Sequence, residues 1–138
     1  LTPETERKIM AWVPAIAYTG LIFGISSITG LSPPGVQFKL FDKVAHAVEY
    51  AGLALFLTLA FRRSLAEGRR RMTPIFVIIV GLVIGVLDEL YQFTVPGRSV
   101  EFLDWVGDAV GVTAAAVAVA IHERLAARTR LGARPAGG

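Results

Sequence analysis

Acids, one histidine and two bases recur in this chain at intervals that a helix would stack on one face. Asp42, Lys43, His46, Glu49 and Tyr50 form one group, Asp88, Glu89 and Gln92 a second, and Asp104 with Asp108 a third, with Arg98 between the last two. Positions three or four apart share a side of a helix, so His46 and Glu49 lie one turn from each other, as do Asp104 and Asp108. An imidazole beside carboxylates is apparatus for general acid/base chemistry, which makes His46, Glu49, Asp88 and Glu89 the candidate catalytic cluster. Lys43, Tyr50, Gln92, Arg98, Asp104 and Asp108 are the candidate ligand-binding groups around it. Carboxylates crowded in a low-dielectric setting cannot all stay ionised without compensation. Lys43 and Arg98 supply two positive charges and His46 a third, leaving an acidic excess for a proton, a divalent cation or a cationic ligand group. The divalent cation rests on composition alone: there is no His-Glu-x-x-His and no cysteine, and no metal ligands are assigned. Ser99 is the serine nearest the cluster, and no nucleophile elbow surrounds it.

The elements that must carry these residues follow from where charge is missing. Over 138 residues the chain is 54% apolar and 18% charged, too apolar and too sparsely charged for an ordinary soluble domain, and long enough for one domain only. Residues 10–30 contain no charge, and 21 helical residues rising 1.5 Å each cross a hydrocarbon core of about 30 Å. The same reasoning predicts further membrane helices over residues 44–61, 75–95 and 102–121. The third turns polar at its end, with Asp88, Glu89 and Gln92, and the fourth begins polar, with Asp104 and Asp108. The first segment exceeds the apolar core of a secretory signal peptide, and no small-x-small cleavage site follows at residues 29–33, so it reads as a retained span. The expected fold is an all-α membrane protein, a four-helix bundle in a single domain over residues 1–138. Residues 122–138 form a basic cytoplasmic tail whose last residues, 133–138, read as a frayed end.

Orientation follows from the bases. Arg7 and Lys8, then Arg62, Arg63, Arg69, Arg70 and Arg71, then Arg124, Arg128, Arg130 and Arg134 make 11 of the 14 Lys/Arg. Only an even number of spans places all three clusters on one side, and translocation of Lys and Arg is disfavoured, so both termini are expected in the cytoplasm. On that side four acids oppose 11 bases, a balance of +7; on the other, three bases (Lys39, Lys43, Arg98) oppose seven acids, a balance of −4. The net +3 and the pI near 9.7 therefore do not describe a nucleic-acid binder. The bases are topology determinants lying against anionic headgroups, and the acids form a mouth on the outer side.

In lipid, helices associate through close packing at small residues. Gly20 with Gly24, Gly81 with Gly85 and Gly107 with Gly111 are spaced for this on the first, third and fourth spans. On the third span the series Gly81, Gly85, Asp88, Gln92 carries the small face into the polar end, and Asp104, Asp108, Gly111, Ala115 does the same on the fourth. On the second, Asp42, His46, Glu49 or Tyr50, and Leu53 step along one face. Three polar helix ends are thus expected to converge. Pro96-Gly97 predicts a tight reversal that holds Arg98 over the mouth, to pair with Glu89 or Asp104 or to clamp an anion. Tyr91 and Trp105 read as interfacial aromatics.

The order Lys43-x-x-His46-x-x-x-Tyr50-x-x-Leu53, Asp88-Glu89-x-x-Gln92, Pro96-Gly97-Arg98 and Asp104, with Gly111 beyond Asp108, resembles the VanZ-like family of small bacterial membrane proteins, over roughly residues 38–120. The resemblance implies a multi-pass plasma-membrane protein of the cell envelope, linked to glycopeptide (teicoplanin-type) resistance or envelope lipid metabolism. Its expected partners are membrane lipids and a lipid-linked, peptidoglycan-related or glycopeptide ligand. No nucleic-acid partner is expected, and association with further copies is compatible with the sequence. The alternative is a metal- or acid/base-dependent hydrolase or transferase acting on an envelope lipid. The chain departs from the family at Gly107-Asp108-Ala109, where an asparagine is usual, so any neutral amide role there is changed unless Asp108 is protonated.

Overall fold

The computed structural model describes residues 1–29, 39–98 and 100–132, and among these it is helical apart from turns and short connections. Helix α1 spans Pro3–Ser26, α2 Lys39–Ser64, α3 Thr73–Gln92 and α4 Phe102–Gly132, with a short 3-10 helix, Glu67–Met72, between α2 and α3. All four long helices are apolar enough to cross a membrane, which makes this a multi-pass membrane protein. Ser99, residues 30–38 of the loop before α2 and the tail 133–138 lie outside the described residues.

The helix ends have local causes. At the start of α1 the Thr2 hydroxyl accepts from Thr5 N at 3.2 Å, Pro3 occupies the first turn, where no amide donor is needed, and Glu4 and Glu6 face the positive dipole end. The helix stops at Ser26, short of the 30 that absence of charge suggested, because Ser27 turns its hydroxyl back onto Phe23 O at 2.7 Å. After α3, Val95 O accepts from Arg98 N at 3.2 Å across Pro96 and Gly97, and Gly97 has φ 84°. This is the type II geometry that the proline-glycine order predicts. Helix α4 runs 31 residues, about 46 Å at 1.5 Å each, longer than a hydrocarbon core. Residues 122–132, read from sequence as part of a tail, continue it as helix.

Helices α2 and α3 pack together, with α1 across one side of the pair and α4 across the other, and the most extensive contact is α2 on α4. Glycines set that contact. A Cβ on Gly107 would stand 2.8 Å from Lys43 O and 3.2 Å from His46 Cβ, and one on Gly111 would collide with the Ala47 carbonyl. Gly81 leaves room for Val112 in the same way. Val112 joins Ala15, Ile22, Leu53, Ala54, Leu57, Val77 and Ala116 in the apolar core.

The first helix departs from expectation. Gly20 and Gly24 are exposed with nothing within 4 Å of an added Cβ, and the inward face is Ala11, Ala15, Ile22 and Ser26. Gly24 and Ser26 stand roughly 200° apart around the axis, so the small pair points away from the bundle. Outward faces carry Ile16, Val48, Ile79, Leu90 and Val110, a belt suited to lipid.

The two ends of the bundle differ in charge. At one, Arg62 pairs with Glu123, Trp12 Nε1 donates to Ser64 Oγ at 2.9 Å, and Arg7, Lys8, Arg62, Arg63 and Arg70 border a cleft. At the other lie the acidic ends of α2, α3 and α4.

Candidate functional site

At the acidic end the glycine contacts of α4 bring two helix faces close enough for their polar side chains to meet. His46 on α2 and Asp108 on α4 are 62 residues apart in sequence, and Nδ1 stands 2.8 Å from Asp108 Oδ1. His46 is 8% exposed and Asp108 0%. The other ring nitrogen, Nε2, faces Asp104 Oδ2 at 4.0 Å. His46 therefore sits between two carboxylates of α4. Glu49, its neighbour one turn along α2, is half-buried and makes no hydrogen bond or ion pair among the described residues.

Lys43 compensates the rim of the site. Its ammonium bonds Asp104, Glu101 at 2.8 Å and Asp42 at 3.3 Å, joining the start of α2 to the start of α4. Such a shared cation between acids offsets their desolvation and repulsion together.

Helix α3 supplies the third wall. Asp88, fully buried, accepts through Oδ2 from Ser26 Oγ at 2.9 Å and from Gln92 Nε2 at 3.1 Å. Glu89, 6% exposed, accepts through Oε2 from Glu101 N at 3.3 Å. Gly85 leaves the space that Asp108 enters, since a Cβ there would meet Asp108 Oδ2 and Trp105 Cδ1, both at 3.1 Å. Sequence spacing did not single out Ser26. Its signal was the series Ala11, Ala15, Ile22, Ser26, which competed with the glycine pair for the inward face of α1.

Not every polar atom brought here finds a partner. Tyr50 Oη, Asp88 Oδ1, Glu89 Oε1, Arg98 Nε and Asp108 Oδ2 are all buried without a hydrogen bond to any described residue. Arg98, expected to pair with Glu89 or Asp104, is half-buried and forms no ion pair with any described residue. Five orphaned atoms in one region are unusual, because leaving a buried donor or acceptor unmade costs about 1–3 kcal/mol each. Two groups of side chains have the spacing to hold a cation: Asp42, His46 and Asp104, and, deeper, His46, Glu89 and Asp108.

Beside this polar cluster, an apolar groove of about 620 Å³ opens between α3 and the start of α4. Val86, Leu90, Phe93, Phe102 and Trp105 line it, and among the described residues Glu89 is its one ionisable lining group. Trp105, read from sequence as an interfacial aromatic, is half-buried and donates through Nε1 to Leu82 O at 3.3 Å. Tyr91 shares a hydroxyl–hydroxyl bond of 2.7 Å with Ser27.

A family model described as VanZ/LLP1 matches residues 2–123. No curated protein and no solved structure is matched.

Proposed function

Since the chain belongs to the VanZ/LLP1 family, we propose that it is a plasma-membrane protein of the bacterial envelope that binds an amphiphilic, lipid-linked or peptidoglycan-related component through its acidic end. Both termini lie in the cytoplasm and the site faces outward, because the basic end carries most of the bases and retention of bases inside sets orientation. The headgroup enters among Tyr50, Asp88, Glu89, Arg98 and Asp108, and the hydrocarbon chain lies in the groove beside Glu89. The carrying observation is the set of buried polar atoms without partners, next to an apolar groove that ends at one of them. A ligand with a polar head and an apolar tail satisfies both at once. Within that reading, glycopeptide resistance of the teicoplanin type is the consequence of occupying or altering such a component.

The test is mass-spectrometric identification of lipid that copurifies with the full chain. We expect a defined envelope lipid with wild type, at least tenfold less with Arg98→Ala, and displacement of the chain by the groove-filling change Val86→Trp. Bulk phospholipid in membrane proportions, unchanged in both variants, sinks the reading. In a glycopeptide-susceptible host, expression should raise the teicoplanin concentration needed to stop growth, and His46→Ala should remove the increase.

A second reading, an enzyme acting on the same lipid, is favoured by the 2.8 Å contact of His46 with Asp108, which orients an imidazole for proton transfer. It is a hydrolase or transferase reading, and turnover of the copurified lipid by wild type but not by His46→Ala separates it from plain binding.

A further inference from the structure

The deeper of the two cation-spaced groups has properties that the shallower lacks. One ligand atom each from His46, Glu89 and Asp108 lies within 4.8 Å of the other two. Each residue comes from a different helix, α2, α3 and α4, and all three residues are more than nine-tenths buried. Glu89 Oε1 and Asp108 Oδ2 are orphaned there. In the shallower group Asp42 is exposed and Lys43 already bonds both Asp42 and Asp104, so its charge is met by a resident ammonium. No lysine or arginine makes an ion pair with Glu89 or Asp108 among the described residues.

We propose that His46, Glu89 and Asp108 hold a divalent transition-metal ion of the zinc or manganese class. The ion neutralises two carboxylates that no described lysine or arginine pairs with, and it takes up the oxygens that have no hydrogen bond to a described residue. One imidazole with two carboxylates suits borderline metals, whereas calcium and magnesium favour all-oxygen surroundings. Ligands about 2.0–2.2 Å from a tetrahedral ion stand roughly 3.3–3.6 Å apart, inside the 4.8 Å within which one atom of each residue lies, and the 2.8 Å hydrogen bond between His46 and Asp108 gives way on loading. Three protein ligands leave a coordination position open, as in metal sites that engage a further group. Tyr50 Oη, Asp88 Oδ1 and Arg98 Nε, the remaining orphaned atoms of this end, are the groups that would meet a ligand beside that position. The inference rests on reading this cluster as the functional site and gives its headgroup class: an anionic oxygen group, able to bind both a metal and a guanidinium.

The experiment uses the full chain in detergent, treated with a chelator, desalted and titrated with Zn²⁺ by calorimetry, with Co²⁺ as a spectroscopic substitute. We expect one saturable ion per chain, a raised melting temperature, and visible Co²⁺ absorption that Zn²⁺ abolishes. Glu89→Gln and Asp108→Asn should each weaken affinity at least tenfold, while Asp42→Asn, in the shallower group, should change it less than about twofold. Absence of saturable Zn²⁺ binding and of the Co²⁺ spectrum in wild type up to about 1 mM overturns the proposal, and this needs no variant to fold. Equal affinity in Glu89→Gln, or loss in Asp42→Asn alone, overturns it too. Lipid content measured on the same samples keeps the two readings apart. Lipid retained without any metal binding refutes the ion and leaves the lipid reading standing, and metal binding without lipid does the reverse.

Discussion

Lys43 shows how much one side chain decides at the acidic end. Its ammonium is shared by Asp42, Glu101 and Asp104, the last of which is 5% exposed. Lys43→Met keeps the length and apolar stem but leaves the buried Asp104 carboxylate without its ammonium, a change that costs about 3 kcal/mol in a fully buried pair and less where solvent screens it. Thermal unfolding in detergent should show Lys43→Met less stable by roughly 2 kcal/mol, with Lys43→Arg close to wild type. An unaltered melting temperature in Lys43→Met would mean that the three contacts contribute nothing net. The identity of these residues as a cluster was legible from their types and spacing, and so was the idea that cations must balance the acids. Their pairing was not. His46 and Glu49 share a helix face by arithmetic, yet the bond forms between His46 and Asp108, because a partner on the facing helix can come closer than one a turn away on the same helix.

At the scale of the helices, the small residues make opposite predictions at two places. Gly111 touches the backbone of Ala47, so Gly111→Val has no flexible neighbour to push aside and must separate α2 from α4. It should destabilise by more than about 3 kcal/mol or prevent folding, as overpacking at a rigid contact does. Gly24 has open space around it, and Gly24→Val should lie within about 0.5 kcal/mol of wild type. Similar effects at both sites, measured by unfolding in detergent, would contradict the assignment of the inward faces. The sequence offered both pairs as equal candidates for packing. What separated them was the rest of each face: Gly107 and Gly111 continue the line of Asp104 and Asp108, whereas Gly20 and Gly24 continue no polar line. The actual inward face of α1 ends in Ser26, the hydroxyl that Asp88 accepts from.

For the molecule as a whole, the separation of charge is the property with the widest consequence. Arg7, Lys8, Arg62, Arg63 and Arg70 border one cleft, and His46, Asp88, Glu89, Asp104 and Asp108 gather at the opposite end. The chain has no cysteine, so single-cysteine variants report cleanly. In the proposed orientation, Glu6→Cys and Thr129→Cys should resist a membrane-impermeant thiol reagent in intact cells, while Thr94→Cys should react; the reverse pattern would invert the orientation. The amino-acid sequence by itself determined how many helices form, roughly where each crosses, which residues are polar and which end of each helix carries them, because length, hydropathy and helical period are properties of one segment at a time. Only the tertiary structure decided which face of α1 turns inward, that Lys43 binds three acids, that His46 meets Asp108, and that Glu89 and Asp108 are left with free oxygens beside an apolar groove. Those facts depend on the rotation of each helix about its own axis and on how closely its neighbours approach, and backbone contacts between residues some 60 positions apart set both.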